Sequence, residues 1–112
     1  MSVEMLDWQE ALGRVLGKRA LYVKLLGKFM ESERETAAKV AECLARGDNE
    51  GARNLVHSTK GSAANLGAKA LASAALELEM NIRAGADTTQ SLQHFSNCMT
   101  DTLLVMQGFV TQ

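Results

Sequence analysis

Imidazole is nucleophilic near neutral pH and can hold a phosphoryl group covalently, and this chain has two histidines, His57 and His94. Only His57 has neighbours that complement such chemistry. In Val56-His57-Ser58-Thr59-Lys60-Gly61, Lys60 follows at i+3 and Gly61 at i+4, and Ala64 comes at i+7. On a helix these residues stand one and two turns on, along the same side. An ammonium at Lys60 would lie near a phosphoryl group on the imidazole and offset its charge, and being protonated it would not compete as a nucleophile. A glycine inside a helix costs on the order of 1 kcal/mol relative to alanine. Beside His57 it leaves a nearly bare patch of backbone, which suits close approach by another protein. His94 lacks such company and reads as a surface residue.

The wheel of this helix sets the direction of His57. At about 100° per residue from Ala52, the residues Leu55, Val56, Thr59, Ala63 and Leu66 fall within roughly 60° of one line, which is the core face. His57 comes out at about 140°, Gly61 at about 180°, Ala64 at about 120°, Arg53 at about 100° and Lys60 at about 80°. The histidine therefore points to solvent in mid-helix.

Five helical segments would position it. Asp7 with Glu10 forms a capping pattern before a short helix over residues 7–16, with Trp8, Leu12, Val15 and Leu16 on one stripe. A long helix runs from about Lys18 to Arg46 with Leu21, Tyr22, Leu25, Leu26, Phe29, Thr36, Val40, Cys43 and Leu44 inward, interrupted only by the polar stretch Glu31 to Glu35. Asp48 caps the histidine helix, which runs to Leu66 and stops at Gly67. A fourth helix starts near Ala68, turns Leu71, Ala75, Leu78 and Ile82 inward, and closes at Ala84-Gly85. Asp87 or Thr88 caps the last helix, where Leu92, Phe95, Met99, Thr102, Met106 and Phe109 keep a seven-residue rhythm. Short connections make neighbouring helices antiparallel. The expected fold is all-α: an antiparallel up-down four-helix bundle with a short additional N-terminal helix, forming one domain over residues 1–112.

Composition agrees with this and excludes other classes. The chain has no proline, 4% aromatic residues, and 12 Lys plus Arg against 13 Asp plus Glu, a net charge of -1. No field results that would draw it to nucleic acid or to an anionic membrane. The opening residues carry no basic-then-apolar leader and no apolar run spans a bilayer, so the expected location is cytoplasmic. Cys43 and Cys98 lack metal-type spacing and fall at apolar helical positions, as reduced core thiols do.

The run Val56-His57-Ser58-Thr59-Lys60-Gly61-Ser62-Ala63-Ala64-Asn65-Leu66-Gly67-Ala68 resembles the signature of histidine phosphotransfer (HPt) domains: a histidine, then Lys-Gly-Ser, small residues and Leu-Gly-Ala. Leu71 and Leu78-Glu79 are similar to the family's next helix, and Leu6-Asp7 through Phe29 to its opening, so the likeness covers nearly the whole chain and is to the stand-alone bacterial type. Thr59 departs from the family's usual leucine. The resemblance implies that His57 is phosphorylated, that Lys60 balances the charge, that Gly61 is the docking glycine, and that Glu79 hydrogen-bonds the inner imidazole nitrogen. Ser58, Ala64 and Asn65 would complete the docking surface. The partners implied are receiver domains of hybrid histidine kinases and response regulators, with Mg2+ on the receiver and no cofactor on this chain. It would act as a monomeric phosphoryl carrier rather than an enzyme.

Three other readings compete with this one. A sensor kinase dimerisation domain would be joined to an ATP-binding module, for which there is neither length nor a phosphate-cradling glycine loop. A di-iron bundle needs Glu-x-x-His pairs, which the sequence lacks. A helical adaptor that binds receivers without phosphotransfer differs only in leaving His57 unused.

Overall fold

The computed structural model describes residues 5–112; the leader reading of the first four residues lies outside them. The described residues form six helices: α1 (Trp8–Arg14), α2 (Arg19–Glu33), α3 (Thr36–Ala45), α4 (Asn49–Asn65), α5 (Lys69–Ala84) and α6 (Thr89–Val110). Helix α4 packs on α3 and α5, α5 on α6, and α6 on both α2 and α3. With α2 and α3 counted as one arm, four arms close a ring around a single core, in a bundle 42 Å long and 20 Å across. The core residues are those of the expected stripes, including Tyr22, Leu26, Phe29, Val40, Val56, Leu71, Leu78, Phe95 and Met106.

The long helix expected over residues 18–46 is two helices, divided at Arg34-Glu35. Glu31 and Glu35 are like charges at i,i+4, which weakens a continuous helix there, and Glu35 leaves helical geometry at φ -112°, ψ 7°. The break also serves buried hydroxyls. Thr36 donates to Glu33 Oε2 at 3.1 Å, and Thr59 of α4 donates to Glu33 Oε1. Two residues expected inward are exposed. Leu16 lies past the end of α1, where the chain reverses through positive φ at Leu16 and Gly17. Leu21 is partly exposed on the outer edge of α2, and Ala11 takes up the buried position of α1 instead.

The C-terminal end of α4 is held with unusual completeness. The last carbonyls of a helix have no partner within it, and here each finds one outside. Arg14 of α1 donates to the carbonyls of Ala64 and Asn65 at 2.8 and 2.9 Å. The Tyr22 hydroxyl donates to Leu66 O at 2.7 Å, and the Asp7 N–H to Gly67 O at 2.8 Å. Burial pushes the Tyr22 hydroxyl up to about 12, so it remains a donor across the physiological range. Gly67 adopts φ +84°, and a Cβ there would lie 2.5 Å from Asp7 O. That glycine is required both by backbone hand and by the strand of chain crossing it. At the other end, the Asp48 side chain accepts from Gly51 N at 2.9 Å and fixes where α4 begins.

Candidate functional site

The α4 helix buries Ala52, Val56, Thr59 and Ala63 and turns His57, Ser58, Gly61, Ala64 and Asn65 to solvent. The His57 side chain is 60% exposed. Thr59 is buried, with its hydroxyl shared between Glu33 and Leu55 O. The polar residue that departs from the family leucine thus brings its own acceptors.

Glu79, on α5, is not a solvated helix residue: its side chain is 3% exposed and spans the seam between α4 and α5. Its Oε2 lies 2.8 Å from His57 Nδ1, and its Oε1 accepts from Lys60 Nζ at 2.7 Å. One carboxylate therefore joins His57, Lys60 and α5. Burial pushes the Glu79 carboxyl up, but the hydrogen bond from Lys60 and then that from His57 outweigh it and hold the group below its ordinary value. An ionised carboxylate can only accept. It follows that Nδ1 is the donor, so that in the neutral ring the lone pair sits on Nε2.

The expected docking residues divide between the two flanks of α4. Ala64 lines a groove toward α1 and α5 with Glu10, Arg14, Lys60, Lys69, Ala72, Ser73 and Leu76. Asn65 lines one toward α2 with Leu25, Lys28, Phe29, Ser32 and Ser62. Gly61 lies between, and a Cβ there would meet nothing within 4 Å, so no packing demands a glycine. Ser58 is exposed and touches neither groove. His94 stands on α6, its ring 3.7 Å from exposed Glu77. Cys43 and Cys98 are free thiols. Among the described residues, no group of three or more His, Cys, Asp or Glu side chains could hold a metal ion, and no helix is long and apolar enough to cross a membrane.

Sequence reasoning missed Arg83. It stands one turn beyond Glu79 on α5, with Nη2 3.7 Å from the Glu79 oxygen that bonds His57. The i,i+4 spacing of Glu79 and Arg83 was a usable signal, once Glu79 was singled out.

Comparison with known proteins bears on the fold and the family. The HPT domain of a sensor hybrid histidine kinase from Shewanella matches with a TM-score of 0.85 at 17% identity, over 99% of this chain and 97% of the other. Histidine-containing phosphotransfer protein B from Pseudomonas aeruginosa matches with a TM-score of 0.84 at 23% identity, over 96% of this chain and 95% of the other. No curated protein gives a match. At such identities these likenesses speak for the fold, whereas the family rests on sequence. The Hpt domain model matches residues 24–104, well over half of the chain, and the chain belongs to the Hpt domain family.

Proposed function

We propose that this protein carries a phosphoryl group on His57 between receiver-domain aspartates of a hybrid sensor kinase and a response regulator. The observation that carries the reading is the exposed His57 ring, held through Nδ1 by a buried carboxylate that leaves Nε2 free. In the forward step the Nε2 lone pair attacks the phosphorus of an aspartyl phosphate. The P–N bond forms as the P–O bond to the aspartate breaks, and the aspartate leaves as a carboxylate with the electron pair. No proton needs to move: Nδ1 keeps its hydrogen, so the ring gains a positive charge and the phosphoryl group keeps two negative ones. Glu79 stabilises the charge on the ring. Lys60, one turn along α4, is the cation nearest in sequence to the phosphoryl group. Onward transfer is the same step reversed on a second receiver, with the magnesium ion brought by that partner.

Gly61 leaves room for the partner's backbone, and Ser58, Ala64 and Asn65 form the surrounding contact surface. The same reading makes the chain a monomeric cytoplasmic carrier, built as an antiparallel up-down bundle.

The test is incubation with a phosphorylated receiver, following acid-labile, base-stable label on wild type and on His57→Gln. Label on wild type and none on a folded variant is the expected result. If a panel of receivers binds wild type but leaves it unlabelled, the chain is an adaptor that docks receivers without transfer.

A further inference from the structure

In the free protein both Glu79 oxygens have hydrogen-bond partners: Oε1 takes Lys60 and Oε2 takes His57. The relay chemistry proposed above, on which this inference rests, disturbs that balance. A phosphoryl group on Nε2 places two negative charges one turn from Lys60. The lysine side chain is 29% exposed while it faces Glu79, and an ammonium on a four-carbon stem reorients easily. When it turns to the phosphoryl group, Glu79 Oε1 loses its partner inside a side chain only 3% exposed. With Lys60 gone the buried carboxylate faces the charged ring alone, and losing that second cation shifts the proton they share from Nδ1 toward Glu79. That shift would come just when the ring needs an ionised acceptor to keep hydrogen on Nδ1.

Arg83 is placed to prevent this. Its Nη2 stands 3.7 Å from Glu79 Oε2, beyond hydrogen-bond length, and its side chain is 60% exposed. Closing to the usual distance of about 2.9 Å takes a small side-chain movement. Lys60 reaches Glu79 from α4 and Arg83 from its own helix, so the departure of one does not remove the other. Of the nearby charged side chains, Glu79 touches the ring, Lys60 and Arg83 meet Glu79, and Arg53 stands one turn before His57 on α4. Arg53 and Arg83 line one shallow groove with Asn49, Glu50 and Ile82.

We propose that Arg83 is a positioning residue that takes over Glu79 when Lys60 turns to the phosphoryl group on His57, keeping the carboxylate ionised and the proton on Nδ1. The consequence falls on onward transfer. With Nδ1 protonated, the phosphoryl group leaves from a neutral imidazole; with Nδ1 bare, it would have to leave from an imidazolide anion, a far poorer leaving group.

The experiment loads His57 with phosphoramidate, a small donor that needs no receiver. Absence of transfer from receivers, which would count against the relay reading, is thereby separated from failure of this inference. Wild type, Arg83→Gln and Arg83→Lys are compared by the 15N signal of the ring Nδ1–H, free and phosphorylated, and by the rate of label loss near pH 8. Arg83→Gln should leave the free ring's signal in place but weaken that of the phosphorylated ring. It should also slow label loss about three- to fivefold, the range of a partly exposed ion pair. The difference should vanish at acid pH, where the ring is protonated regardless, and Arg83→Lys should restore most of the rate. In a Lys60→Gln background, Arg83→Gln should disturb the free ring as well, because Arg83 is then already engaged. Equal shifts in free and phosphorylated protein, no change in either, or no rescue by lysine would each overturn the proposal.

Discussion

His57 Nδ1 and Glu79 Oε2 lie 2.8 Å apart, although the histidine side chain is 60% exposed and the carboxylate 3% exposed. The nucleophile is thus oriented from beneath by a group that solvent and small donors scarcely reach. Replacing Glu79 by Gln keeps a carbonyl oxygen as acceptor but removes the charge that stabilises the phosphorylated ring. Hydrogen bonds to charged groups contribute about 1.5–3 kcal/mol. Single-turnover transfer from a phosphorylated receiver should therefore slow roughly 10- to 100-fold in Glu79→Gln. A folded variant that transfers at the wild-type rate would remove Glu79 from the mechanism.

The same carboxylate gives stability a pH dependence of definite sign. Its value in the folded protein lies below the ordinary 4.5, because Lys60 and His57 outweigh the opposing effect of burial. The contribution of Glu79 is therefore fully present above pH 4.5 and is lost as pH falls through the lowered folded value. Urea midpoints of wild type and Glu79→Gln, taken from neutral pH down to pH 3, should converge in the acid range. A constant gap across that range would mean that the carboxylate is not the group being titrated.

How much of this was legible in the sequence depended on the range of the interaction. The wheel of α4 placed His57 outward and Val56, Thr59 and Ala63 inward because those directions follow from local helical geometry alone. The caps at Asp7 and Asp48 and the stop at Gly67 were legible for the same reason. The charge run from Glu31 to Glu35 marked an interruption, but not that α3 would begin afresh at Thr36. The contact made at that break, Glu33 with Thr59, joins residues 26 apart and has no local signature. Leu16 followed the period of α1 yet lies past its end, since periodicity does not say where a helix stops. Arg14 gave no sign of its role as a C-terminal partner of α4, because its acceptors are backbone carbonyls 50 and 51 residues away. The link from Glu79 to His57 came from family resemblance rather than from spacing, and Arg83 became visible only with Glu79 in place.

Two glycines near the site should respond oppositely to alanine. At Gly61, where a Cβ meets nothing within 4 Å, Ala should stabilise the fold by about 0.5–1 kcal/mol through its helix propensity. Loading by phosphoramidate should be unchanged, while transfer from a receiver should slow because the new methyl stands on the docking face. At Gly67 the same change meets Asp7 O at 2.5 Å and a backbone at φ +84°. It should cost about 2 kcal/mol or more. Thermal unfolding, paired with both loading assays, separates the two effects; equal destabilisation at both positions would contradict the packing described.

The bridge from Glu33 to Thr59 makes a last, purely structural prediction. Thr59 is buried, and its hydroxyl donates to a carboxylate at the α2–α3 break and to Leu55 O within its own helix. Thr59→Val keeps the shape and removes the donor, at a cost of about 1 kcal/mol. Part of that cost belongs to the bond within α4 and part to the bond with Glu33, and a double-mutant cycle with Glu33→Gln separates them. If the bridge ties the break to the histidine helix, the cycle should show a coupling of about 1 kcal/mol in urea unfolding. Additive effects would mean that Glu33 and Thr59 are neighbours without mutual support. Phosphoramidate loading of His57 should stay at the wild-type rate in all three variants, because Thr59 faces the core while His57 faces solvent on the same helix.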